Sequence, residues 1–162
     1  MLQTWAIAHR LAANSLVSLL IGCNPLNIAT AHAALGGDAA SVVADADDSH
    51  GTADCTFLAQ YDMQEITDDN GMRVREFLTK AGVVFAVSWN GPVVPDLKRL
   101  LGASFDTYIQ SLSALKDPGT HRSLRIATPE LVVEAGGHMR AYSGRAYLPR
   151  SIPDGVSAAD LR

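Results

Sequence analysis

The chain of 162 residues has only two cysteines, Cys23 and Cys55, and no Cys-x-x-Cys pair, which excludes a zinc ribbon and a dithiol redox centre. Gly-x-Ser-x-Gly, a Walker loop, His-Glu-x-x-His and Gly-x-Gly-x-x-Gly are also missing. Neither a nucleophile elbow, nor a phosphate cradle, nor a paired-histidine metal site is encoded. No apolar run reaches the roughly 18 residues that read as a membrane-spanning helix. Positive charge is missing from a long stretch: between Leu35 and Met72 there are nine acidic residues and no Lys or Arg. Beyond Met72, twelve basic residues face eight acidic ones, so residues 34–162 carry twelve basic against seventeen acidic groups, a net charge of −5. That balance excludes a dedicated nucleic-acid binder, whose affinity rests on neutralising phosphates. The acidic front of the chain neutralises its basic back.

What is present begins with an export signal. His9 and Arg10 precede an apolar run from Leu11 to Ile21, too short to span a bilayer and of the length of a signal-peptide core. Ala31-His32-Ala33 offers the small residues a signal peptidase accepts, giving a mature chain from Ala34 and an exported, periplasmic or secreted protein. The rival is Leu20-Ile21-Gly22-Cys23, a lipobox pattern that would anchor a lipoprotein to the membrane through Cys23. With cleavage after Ala33, Cys55 is the only cysteine left, and Asp54 beside it suits a buried or inert thiol.

Three regions follow: a signal peptide over 1–33, a flexible acidic lead-in over 34–54, and one domain over 55–162. The lead-in is small, acidic and glycine-containing. Its Asp45, Asp47, Asp48, His50 and Asp54 are metal-ligand residue types without calcium-loop spacing or paired histidines, so a solvated segment is expected, with no metal and no cofactor. From Thr56 the apolar period is two, and Phe57, Ala59, Tyr61 and Met63 mark a strand. Asn70-Gly71 suggests a type I′ turn, followed by a strand over 72–79. VVFAVSW, with Val83, Phe85, Val87 and Trp89 as its heavier stripe, reads as the central strand. Pro95 and Asp96 start a helix in which Leu97, Leu100, Leu101, Phe105, Tyr108, Ile109 and Leu112 form one apolar stripe. Strands return near 123–127 and 131–135. The expected fold is α+β: an antiparallel sheet of about five to six strands in the order βββ-α-βββ, with one amphipathic helix packed on one face.

ALGGDAASV at 34–42, VREF at 74–77, VVFAVSWNGPVVPDLKRLLG at 83–102 and GGHMRAYSGRAYLP at 136–149 together resemble the domain-of-unknown-function 2844 family of short exported bacterial proteins. The resemblance covers residues 34–162 and implies ALGG at or near a mature start. It implies no activity, and no catalytic residue follows from it.

GGHMRAYSGRAYLP is the densest candidate site. With Ser143-Gly144 as a two-residue turn, alternation places Met139, Ala141, Ala146 and Leu148 on a core face, and His138, Arg140, Tyr142, Arg145 and Tyr147 on an outer one. Such a face either satisfies itself, each arginine over a tyrosine ring, or binds an anionic or aromatic ligand or another envelope protein. The chain's own acidic segment 38–54 is a further partner of suitable charge. The sequence therefore points to a non-enzymatic exported binding or envelope-associated module. The alternative is a small hydrolase or transferase centred on His138 with Glu134 or Asp96, which requires a concave pocket holding both groups.

Overall fold

In a computed structural model, residues 34–37, 52–115 and 123–162 are described. The expected strands-helix-strands order holds, with one strand more than the hydrophobic pattern suggests. Seven strands, β1 (Thr52–Phe57), β2 (Tyr61–Thr67), β3 (Arg73–Thr79), β4 (Val84–Gly91), β5 (Ser123–Ala127), β6 (Val132–His138) and β7 (Ala141–Tyr147), form one antiparallel sheet in the order β1-β2-β3-β4-β7-β6-β5. The run read as one strand from Thr56 is two strands, because residues 58–60 turn the chain so that Phe57 pairs with Asp62. The next turn also differs. Asp68 Oδ1 accepts from the amides of Asn70 and Met72 at 2.9 Å, and only Gly71 takes a left-handed conformation, whereas a type I′ turn needs two such residues.

β4 is central, and its six residues from Val84 to Trp89 are all buried. They do not keep the single heavy stripe that strict alternation predicts. The register slips at Phe77/Leu78, so that Phe77 pairs with Ala86 and Leu78 with Val84. This bulge turns Phe85 toward Phe77 on one face of the sheet, while Val87 and Trp89 pack on the other.

The helix covers the Val87/Trp89 face. It is broken into α1 (Leu97–Leu101), a 3-10 turn over Gly102–Ser104, and α2 (Phe105–Ser113). Asp96 caps its start by accepting from the Arg99 amide at 3.1 Å. The break alters the phase of the apolar stripe: Leu100, Leu101 and Tyr108 are buried, and Ile109 is exposed. Burial pushes the Tyr108 phenol above its ordinary value.

The cause of the break is the segment ALGG. Leu35 is only 1% exposed, its amide donates to Leu100 O at 3.0 Å, and Gly36 and Gly37 pair with Val84 as a short extra bridge. Gly102, at φ 49°, faces Ala34, where a Cβ would come within 2.5 Å of the alanine Cβ. Leu35, assigned above to the lead-in, is thus part of the core, and Gly36 and Gly37 tie it to β4. The cluster Asp45 to His50 lies outside the described residues. Cys55 is exposed on β1, which corrects the reading of a buried thiol.

The second face is also covered, in part, so the sheet is not packed on one side alone. Phe77, Phe85, Ala86, Val132 and Tyr147 make an apolar cluster there, against Ile152, Val156, Ala158 and the fully buried Leu161 of the C-terminal segment. That segment is fixed by two 3-10 turns, the second closed by a capping box between Ser157 and Asp160.

Candidate functional site

The predicted hairpin exists but turns elsewhere. Met139 and Arg140 are the turn, with His138 paired to Ala141, Glu134 to Arg145 and Val132 to Tyr147. Ser143 and Gly144 lie inside β7 and pair with Asn90 and Trp89 of the central strand. The five residues assigned to one outer face are therefore dispersed. Arg145 and Tyr147 share the second face, with the Arg145 guanidinium carbon 5.8 Å from the Tyr147 ring centroid. Tyr142 points to the opposite face, the one that buries Ala146. His138 and Arg140 stand exposed at the hairpin tip. Of the expected core residues, Ala146 is buried and Leu148 half-buried, but Met139 is 84% exposed.

Arg140 is the one residue other than glycine with positive φ among the described residues, at 63°. A left-handed conformation costs an L-residue about 1–2 kcal/mol. Arg140→Gly is therefore expected to raise the unfolding free energy by up to about 1 kcal/mol, after the extra chain entropy of glycine is subtracted. A urea denaturation curve shifted to a lower midpoint would contradict this account of the turn.

Register and alternation together build a different site. Residues paired directly across antiparallel strands share a face, so Asp54, Glu65, Arg75, Ser88, Arg145, Glu134 and Arg125 form one row that crosses all seven strands. Around Ser88 the row is close to a mirror. On one side Glu65 takes Arg75 Nε at 2.5 Å and Arg73 Nε at 3.2 Å. On the other, Glu134 takes Arg145 Nη2 at 2.6 Å and Arg125 Nε at 3.3 Å. Both inner arginines also hold the C-terminal segment: Arg145 Nη1 donates to Ala158 O and Arg75 Nη1 to Arg162 O. One neighbouring row, from Met63 through Phe77, Ala86 and Tyr147 to Val132, is the apolar strip under that segment. The row on the opposite side, Thr67, Arg73, Asn90, Ser143 and Gly136, is polar.

Beside the C-terminal segment lies a cleft of about 390 Å³, with Arg73, Arg75, Asn90, Ser143, Arg145 and Arg162 among its walls. Glu134 is the one acidic side chain lining it. Arg145 is the only one of the five expected site residues in this cleft. His138 is not there; its Nδ1 has Met139 O at 3.4 Å. Glu134 is engaged by Arg125 and Arg145, and Asp96 caps the helix, so the acid-base pair required by the hydrolase or transferase alternative is not assembled. Among the described residues no group of three His, Cys, Asp or Glu side chains converges as a metal site, and no helix is long and apolar enough to cross a membrane.

Sequence reasoning missed Arg73, Arg75, Asn90 and Ser143. Arg73-Val-Arg75 does carry the signal of two arginines on one strand face. The pairing of β4 with β7, which brings Asn90 beside Ser143, has no local signal.

A family model described as "Protein of unknown function (DUF2844)" matches residues 31–161. No curated protein and no solved structure matches the chain.

Proposed function

We propose, from the premise that the chain belongs to the domain-of-unknown-function 2844 family, that it is an exported, non-enzymatic module that binds an anionic ligand in the cleft on the second sheet face. The observation that carries the binding reading is the wall charge. Arg73, Arg75, Arg145 and Arg162 line a single cleft against two glutamates, Glu134 in its wall and Glu65 behind Arg73 and Arg75, and guanidinium groups held on strands are preorganised anion donors. Export is supported by the apolar run from Leu11 to Ile21 and by Ala31-His32-Ala33. The core position of Leu35 also fits a folded unit that begins just after the expected cleavage site.

Intact mass of the protein recovered from the periplasmic fraction tests the first half, with a mature chain from Ala34 expected. A diacylglyceryl-modified chain beginning at Cys23 would replace export with membrane anchoring. For the second half, thermal unfolding is followed with citrate, inorganic phosphate and trigalacturonic acid at matched ionic strength. A ligand present at a hundred times its Kd adds about 2.7 kcal/mol of stability, and Arg73→Gln is expected to remove the gain. If no anion raises the Tm, the binding reading fails.

A further inference from the structure

We propose that the ligand of this cleft is a uronic acid, a sugar carrying a carboxylate, presented singly or within an acidic oligosaccharide. The proposal rests on the anion-binding reading above and specifies its chemistry. The starting point is how the arginines are already used. Glu65 takes the Nε of both Arg73 and Arg75, which leaves their terminal Nη pairs for other partners. Arg75 spends Nη1 on Arg162 O, and each nitrogen of Arg145 is already engaged, Nε and Nη2 by Glu134 and Nη1 by Ala158 O. Arg73, whose side chain is 52% exposed, makes no ion pair or side-chain hydrogen bond other than that with Glu65 among the described residues. The outward fork is therefore Arg73, seconded by Arg75 Nη2.

Asn90 and Ser143 complete the surface. They follow Arg73 on successive strands of one register row, at about 4.8 Å per strand. Neither side chain has a hydrogen-bond partner among the described residues, and both are exposed. The three groups thus span about 10 Å, so a uronate seated on Arg73 reaches Asn90 with its own ring hydroxyls and Ser143 with those of a linked sugar. Their chemistry is mixed in a way that selects among anions. Arginine only donates, whereas the Asn90 amide and the Ser143 hydroxyl both donate and accept. Inorganic phosphate near neutral pH keeps a hydroxyl that can donate, but it is a single small tetrahedron that cannot reach from the Arg73 fork to both Asn90 and Ser143. A carboxylate flanked by ring hydroxyls fills the arginine fork and gives Asn90 and Ser143 donors as well as acceptors.

Isothermal titration of the mature protein with trigalacturonic acid, maltotriose and inorganic phosphate, at one ionic strength, tests the assignment. Trigalacturonic acid is expected to bind at least about tenfold more tightly than phosphate, one such factor being the size of one good hydrogen bond to a charged group, and maltotriose to bind at least as weakly as phosphate. Asn90→Ala and Ser143→Ala are each expected to weaken trigalacturonic acid about fivefold and leave phosphate unchanged, while Arg73→Gln weakens both. All three positions are exposed, and a urea midpoint for each variant separates lost binding from lost folding. Phosphate binding as tightly as the uronate, maltotriose matching it, or unchanged uronate affinity in both polar variants would overturn the uronate assignment while leaving an anion site. Absence of binding by either anion would overturn the anion reading with it.

Discussion

Leu35→Ala is expected to lower the unfolding free energy by about 3 kcal/mol, the usual cost of truncating a buried leucine where the surroundings close only partly. The site has little freedom to close. Leu35 lies between α1 and the start of β4, its amide held by Leu100 O and its neighbours Gly36 and Gly37 held by Val84. The matched control is Val94→Ala, since Val94 is 69% exposed and its truncation is expected to stay within about 0.5 kcal/mol. Urea denaturation of the two variants decides the matter. Equal midpoints would remove ALGG from the core and make it an ordinary chain terminus.

Gly144→Ala is the second large effect, expected at about 2–3 kcal/mol from overpacking alone. A Cβ at this position would come within 2.4 Å of Trp89 Cζ2 and 2.6 Å of Glu134 O. The first contact is with a buried indole, 3% exposed, and the second is with backbone, so neither neighbour yields cheaply. Tryptophan fluorescence should shift along with the denaturation midpoint, because the chromophore itself must move. A variant as stable as the parent would show that Trp89 does not cover β7. It would also restore the turn at Ser143-Gly144 that local chemistry favours.

That glycine shows where sequence reasoning ends. Ser-Gly is good turn chemistry and Met-Arg is poor, so the local signal places the hairpin four residues too late. The competing term is tertiary: the Trp89 ring needs a strand position without a side chain opposite it, and Arg140 carries the conformational cost. The central strand and the helix start were legible because each is written in contiguous residues: the apolar run Val84–Val87 and the pair Pro95-Asp96. The broken helix was not, since Gly102 looks like any helix-weakening glycine until Ala34 is placed against it. The bulge at Phe85 was equally hidden, because strict alternation carries no mark of an inserted residue. For the candidate site, the types of residue were readable and their company was not. Arg145 was identified, but its neighbours Ser88 and Asn90 come from a strand far away in the chain.

The strand order has a kinetic side. β1 to β4 form one meander and β5 to β7 another, each made of pairings between consecutive strands, and a single seam, β4 against β7, joins them. Closing that seam brings Ala86 to Tyr147 across the whole helical connection, so its loop entropy must be spent before any of its contacts repay it. The transition state for folding is therefore expected to have the seam partly formed. Substitutions at Ala146, buried in that seam, should slow folding, whereas those at β1, on the rim of the sheet, should mainly speed unfolding. The same seam carries Ser88 between the two clamped arginines. The cleft thus comes into existence only when the two meanders meet, since neither builds it alone.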